Sequence, residues 1–328
     1  LVAFWGTALG VSLLLYVVLD GFDLGVGILF PFAPGERSRQ QMMEAVAPVW
    51  DGNETWLIMS AATLFAAFPA AYAVLLSAFY LPVIIMLCGL ILRGVAFEFR
   101  SRTVRYRWLW SASFFLGSLF AAFAQGSAIG AFVQQVPVHD GVFDGSVFSW
   151  LSPFALLCGV GLCLGYSMLG AGWLVLKTEA AVRDFSYASL AVTLSGVMVF
   201  LLAAAVSVFA MHLRVADQWR QRPVLFVFLA IGAVALLTML YAIVRERDRV
   251  LYPMAVVMFC AAFCTMVLAV LPYIVPFSMT LAEAAAPKSS LTFLFWGAGI
   301  IVLPLTLIYT GVVYFIFRGK VVRGSGAD

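Results

Sequence analysis

Charge is scarce in this chain: Asp, Glu, Lys and Arg supply 11% of its 328 residues, against 64% hydrophobic ones. A water-soluble domain carries about 25% charged residues, so the composition excludes an ordinary soluble fold. Histidine is scarcer still, at two residues. His139 falls in a connection beside Asp140, and His212 ends an apolar run. Histidine is the commonest haem ligand, and two surface histidines exclude a set of haem sites held by this chain inside a membrane. There is no CxxCH, no P-loop, no GxGxxG after a strand and no zinc-ligand spacing, which leaves no independent redox or hydrolytic centre. The five cysteines all sit in apolar runs, without a CxxC, and read as small packing residues. The net charge of +3 carries no footprint of a nucleic-acid partner.

What fills the chain is long apolar runs, recurring almost to its end without a polar linker domain, so residues 1–328 read as one integral membrane domain. A bilayer core of about 30 Å needs roughly 20 helical residues. That ruler predicts nine spans, at 3–31, 42–69, 71–99, 108–134, 150–178, 184–212, 223–244, 251–276 and 290–317. The opening run has no basic leader or small-residue cleavage pattern, and reads as a first membrane helix rather than a signal peptide. Lysine and arginine set the orientation. Fifteen of the nineteen, from Arg37 to Arg323, fall after spans one, three, five, seven and nine, and only Arg214, Arg220, Arg222 and Lys288 lie opposite. Basic residues favour the cytoplasm, which predicts an outer N-terminus and an inner C-terminus.

Three places break the apolar pattern, and an ionisable residue in a span is costly unless it faces protein, water or a counter-charge. Asp20 and Asp23, at i and i+3, share a face near the inner end of span one. Gly21 and Gly25 beside them form a small-residue stripe that lets a second helix come close. Asp51 and Glu54 repeat the spacing in span two, with Asn53 and Thr55 adding hydrogen-bonding capacity and Trp50 and Trp56 flanking the patch. About fourteen apolar residues follow toward the outside, too few to span alone, so this pair is expected within the inner half of the membrane. Arg93 and Glu98 lie at the inner end of span three, with Arg93 in reach of the layer of Asp23 and Asp51. Carboxylates and an arginine gathered at that depth fit a proton-uptake path from the cytoplasm, and equally a structural charge network at a subunit contact.

The runs DGFDLGVG at 20–27, WDGNETW at 50–56 and RGVAFEFR at 93–100 resemble the signature stretches of subunit II of cytochrome bd-type quinol oxidases. SPFALLCG at 152–159, GAGWLVLKT at 170–178, LPLTLIYT at 303–310 and FRGKV at 317–321 follow in the expected order, so the resemblance covers essentially the whole chain. The stretch 280–294 and the FRGK ending are closer to the branch called cyanide-insensitive oxidase. The resemblance implies an all-α polytopic fold of nine transmembrane helices, arranged as two four-helix bundles plus one peripheral helix. It implies a haem-free subunit in a bacterial cytoplasmic membrane, paired with subunit I, which carries the b-type and d- or b-type haems. That family leaves room for small single-helix accessory subunits, for membrane lipid and for a structural quinone. Residue by residue, Asp23 and Asp51 match acidic positions linked to proton supply and haem integrity, and Arg93 matches the arginine of that inner cluster. Asp20, Glu54 and Glu98 complete the candidate path, and Trp56 matches a tryptophan near the oxygen route. Glu54 departs from the glutamine often found there. A proton-coupled secondary transporter with Asp23, Asp51 and Glu54 as its site is the rival reading, although no internal repeat accompanies it.

Overall fold

The computed structural model describes residues 1–103 and 105–321, so Arg323, counted above for orientation, lies outside the described residues. The fold is all-α and polytopic. Helix α1 runs Val2–Leu29 and continues into a 3-10 turn at Phe30–Phe32. A short α2 (Glu36–Val46) precedes α3 (Trp50–Ala67), α4 (Pro69–Ala78), α5 (Tyr80–Arg100) and α6 (Arg107–Val133). Then come α7 (Pro153–Lys177), α8 (Ala180–Ala210), α9 (Arg214–Gln221), α10 (Val224–Val244) and α11 (Asp248–Val270). After α12 (Leu281–Ala284) and α13 (Lys288–Leu294), a π-helical stretch at Phe295–Val302 leads into α14 (Leu303–Ile316).

Among the described residues, eight helical segments are long and apolar enough to cross a membrane. The nine expected spans differ from them at the second and third. The expected span 42–69 is divided between α2 and α3 at residues 47–49, where Pro48 cannot supply the backbone N–H an uninterrupted helix needs. What remains is α3, eighteen residues that begin with Trp50, Asp51, Asn53 and Glu54 and are too polar to join the eight. The expected span 71–99 is broken at Phe79 into α4 and α5, with Pro82 in the first turn that follows. The last span, by contrast, is continuous from Lys288 to Ile316. Pro304 near the start of α14 has no N–H to give, and the π-helical stretch just before it is where the ladder adjusts.

The helices associate as two groups, α1, α3, α5 and α6 on one side and α7, α8, α10 and α11 on the other, with α1 and α6 against α7 as the seam. Helix α14 buries none of its residues and lies at the periphery. At the seam the backbones nearly touch. A Cβ placed on Gly25 would lie 1.8 Å from the Tyr166 carbonyl oxygen, and one on Gly170 would lie 2.5 Å from the Val26 nitrogen. Helices α5 and α6 cross in the same way at Gly89 and Gly117, each of whose added Cβ would meet the other's carbonyl within 2.6 Å. Small residues at such crossings replace the hydrophobic drive that lipid removes, because they let backbones approach and dispersion contacts accumulate.

The end of the molecule that carries the N-terminus is closed by residues 273–291. Tyr273–Val275 and Met279–Thr280 form a two-stranded hairpin. Ala286 N–H donates to Ala67 O at 2.9 Å, and the Trp5 indole donates to Leu291 O at 3.3 Å. Thr280 caps α12 reciprocally: its hydroxyl accepts from Glu283 N–H, and its backbone N–H donates to the Glu283 carboxylate at 2.7 Å. That backbone bond, then the Thr280 hydroxyl, holds the Glu283 carboxyl below the ordinary carboxylate range. A lowered folded value means the contribution is present above the unfolded pKa, about 4.3, and is lost as pH falls through the folded value. Amide hydrogen exchange of the 280–291 segment is therefore expected to gain an acid-dependent opening that Glu283→Gln removes. An unchanged acid dependence in that variant would show that the cap does not control the segment.

Candidate functional site

Helix α1 carries Asp20 and Asp23 one turn apart, and both are fully buried. They face inward because Phe22, between them, is claimed by the other group: its ring stacks on Trp173 of α7 at 4.3 Å. The Trp173 indole in turn donates to Ala45 O at 3.0 Å, tying α2 to the same point. Rotation of α1 is thereby fixed from both sides of the seam. From α5, Arg93 reaches Asp20, with Nη2 2.6 Å from Oδ1. The same Nη2 meets the carboxylate of Glu54 on α3. One guanidinium nitrogen thus joins three helices, and Arg93 is as inaccessible as Asp20.

Asp23 has a different partner. Asn53 of α3 donates to Asp23 Oδ2 at 2.7 Å and lies 3.2 Å from Leu19 O. Its amide oxygen accepts from the Tyr314 hydroxyl of α14 at 3.0 Å. This amide ties the peripheral helix to the site. Polar atoms remain over: Asp20 Oδ2, Asp23 Oδ1 and both Arg93 Nε and Nη1 are buried without a partner. Buried polar groups are normally satisfied, so these four atoms are bonding capacity that the cluster's own ion pairs leave unused.

The expected residues separate by exposure. Asp20, Asp23 and Arg93 are sealed, and Glu54 keeps 25% of its side chain accessible. Asp51, in the first turn of α3, is exposed and, among the described residues, forms no side-chain hydrogen bond or ion pair with the cluster. Glu98 is also outside it, exposed and paired with Arg102 at 3.2 Å. Arg93 therefore sits with Asp20 and Glu54, not with Asp51 or Glu98. Trp56 is completely buried one and a half turns beyond Asp51, with its indole N–H unpartnered. Asn53, which the sequence offers only as hydrogen-bonding capacity, is the bridge in the structure. Tyr314 has no signal in its apolar run, 261 residues away in sequence. Gln125, the one amide side chain within α6, is a further polar residue that the rule for intramembrane polar groups marks.

Among the described residues no group of three or more His, Cys, Asp or Glu side chains could hold a metal ion. His139 is exposed 3.3 Å from Asp140, and His212 is exposed at the end of α8. Carboxyl groups in such an arrangement can bind and release protons. Two carboxyl groups, those of Asp20 and Glu54, share one guanidinium, and the Asp23 carboxyl is held beside them by Asn53.

Comparison with known proteins gives a consistent result. The family model described as cytochrome bd terminal oxidase subunit II matches residues 1–317. A probable cytochrome oxidase subunit 2 of Haemophilus influenzae is 31% identical, over 95% of this chain and 89% of that protein. The cytochrome bd-I ubiquinol oxidase subunit 2 of Escherichia coli K12 is 30% identical, over 97% of this chain and 94% of its own length. A chain of the bd oxidase structure from Geobacillus thermodenitrificans superposes with a TM-score of 0.72 at 10% identity, covering 96% of this chain and 98% of that one. At that identity the likeness speaks for the fold alone.

Proposed function

Because the chain belongs to the cytochrome bd terminal oxidase subunit II family, we propose that its acid–arginine cluster is a proton-uptake route of a respiratory quinol oxidase. The family makes it a multi-pass membrane subunit of an oxidoreductase, whose partner, subunit I, holds the haems. It also sets aside the secondary-transporter reading. Haem in the partner supplies the reduction of oxygen to water, which consumes protons. This chain contributes side chains that take protons up and hold the partner in shape.

The observation that supports the route is the gradient of exposure along one set of carboxyls. Asp51 is open, Glu54 is half-buried, and Asp20 is sealed behind the Arg93 guanidinium. In this reading Asp51 is the mouth, Glu54 the transfer group and Asp20 the inner carboxyl, while Asp23 steadies the cluster through Asn53 and Tyr314. Glu98 with Arg102 belongs to the charged surface at the same end. The mouth opens to the cytoplasm, as the arginine-rich connections at that end favour, with the N-terminus outside. Trp56 lines the oxygen route from the membrane. The exposed apolar faces of α8, α10 and α14 are surface for lipid, accessory helices and a structural quinone.

The test uses the oxidase assembled with its haem subunit. Glu54→Gln and Asp51→Asn are each expected to slow quinol-dependent oxygen uptake by about tenfold, roughly 1.4 kcal/mol on the barrier, with haem content retained. Wild-type turnover in both variants would sink the route. Isolation of the chain alone and colourless, from cells making every subunit, would sink the partnership.

A further inference from the structure

Three polar side chains lie beyond the cluster, toward the N-terminal end of the bundle, and the route proposed above leaves them unused. Tyr16 of α1, Gln125 of α6 and Tyr166 of α7 are each at least nine-tenths buried. The Tyr166 hydroxyl is 2.9 Å from Gln125 Oε1, and Gln125 Nε2 is 2.8 Å from the Tyr16 hydroxyl. One amide therefore links two phenols across three helices, in surroundings where an unmade hydrogen bond is costly.

Proton bookkeeping gives this chain a direction. A phenol has one proton to donate, and a primary amide offers donors on nitrogen and an acceptor on oxygen. If the amide were turned round, Tyr16 would donate to Gln125 and Tyr166 would accept. The Tyr166 proton would then have no acceptor, since its ring is packed against Phe259 and over Gly21, and Gln125 is its hydrogen-bond partner among the described residues. The orientation shown avoids this. Tyr166 donates to Gln125, Gln125 donates to Tyr16, and the Tyr16 proton must go elsewhere.

Two unpartnered acceptors stand on the same face of α1, one turn to either side. They are the Ser12 hydroxyl at i−4 and Asp20 Oδ2 at i+4. A carboxylate is the stronger acceptor, since charge-assisted bonds are about twice as strong as neutral ones. We infer that Tyr16 is the second hydrogen-bond donor to Asp20, opposite Arg93, and that Gln125, anchored by Tyr166, is the positioning residue that turns the Tyr16 hydroxyl toward it. Asp20 is then held at both oxygens, by a cation from α5 and by a phenol that Gln125 and Tyr166 orient. An amide between two phenols is a poor proton relay, so the chain sets the inner carboxyl and does not extend the path.

This inference rests on Asp20 being the inner carboxyl of the proton route, and the test separates the two. Tyr16→Phe, Tyr166→Phe and Asp20→Asn are made in the assembled oxidase, and oxygen uptake is followed against pH in H2O and D2O. Tyr16→Phe is expected to cut turnover about fivefold. It should move the acid limb of the profile by about one unit toward higher pH, as loss of a bond to a carboxylate does, with haem content and quinol KM unchanged. Tyr166→Phe frees Gln125 Oε1 to accept from Tyr16, and is expected to shift the profile the same way by a smaller amount. A wild-type profile in Tyr16→Phe beside a slowed Asp20→Asn overturns the inference and leaves the route standing. Wild-type behaviour in both removes the route and the inference together. If Tyr16→Phe does not assemble, Tyr166→Phe decides, and an unchanged profile there overturns the positioning role of Gln125.

Discussion

Arg93→Met is expected to lower severely both the yield and the melting temperature of the assembled, haem-containing oxidase. Arg93 is fully buried, and its Nη2 is the counter-charge to both Asp20, at 2.6 Å, and Glu54. Removing one partner of a buried pair costs about 3–5 kcal/mol, because the other charge stays desolvated and unpaired. Here two carboxylates are abandoned, and they would face each other across the space the guanidinium leaves. A typical domain has only about 5–15 kcal/mol of stability, so the loss is a large fraction of the whole. Arg93→Lys is expected to rescue only in part, since an ammonium is more strongly hydrated and its shorter stem falls short of the point between Asp20 and Glu54 that Arg93 Nη2 occupies. The informative variant is the double Arg93→Met, Asp20→Asn. With Asp20 neutral, one abandoned charge disappears, and thermal melting of the purified complex should recover by a coupling energy of about 0.5–3 kcal/mol. Additive losses in that cycle would mean that the pair does not act as a unit.

How the cluster comes together was only partly legible in the sequence. The i, i+3 spacing of Asp20 and Asp23 told that they share a face of α1, and Gly21 and Gly25 told that this region meets a close neighbour. Both hold, since Gly25 crosses Gly170 and Gly21 lies over the Tyr166 ring. Spacing within one helix does not say which residue of another helix arrives opposite. Asp51 and Glu54 are three residues apart, yet only Glu54 reaches Arg93, because α3 starts afresh after Pro48 and leaves Asp51 in its first turn at the surface. A span of 42–69 hides that break, although proline's missing N–H marks it. Tyr314 lies in an apolar run with no local signature. Its role depends on α14 passing beside Asn53, a contact between residues 261 apart that no periodicity encodes. Apolarity is a property of segments, and so it survives; partner choice is a property of tertiary packing, and so it does not.

Gly25→Ala is expected to be as damaging as loss of Arg93, although it adds a single methyl group and touches no charge. The new Cβ would lie 1.8 Å from the Tyr166 carbonyl oxygen, 2.5 Å from its carbon and 3.1 Å from Gly170 N. These are main-chain atoms inside α7, so no rotamer change relieves the clash and the two helices must separate. Overpacking of a core costs typically about 1–3 kcal/mol where side chains give way, and here the yielding element is a whole helix, so the upper end or more is expected. Separation would also act on the site, because α1 carries Asp20 and Asp23 while α7 carries Trp173, on which Phe22 stacks at 4.3 Å. Gly170→Ala should behave alike, its Cβ lying 2.5 Å from Val26 N. Gly10→Ala on the same helix is the control: nothing lies within 4 Å of its added Cβ, and alanine is favoured over glycine in a helix by about 1 kcal/mol. Melting temperature and haem content of the purified oxidase are expected to fall for Gly25→Ala and to hold or rise for Gly10→Ala. Equal tolerance of both would show that α1 and α7 do not carry the bundle at this crossing, and that the acid cluster owes its shape to the ion pairs alone.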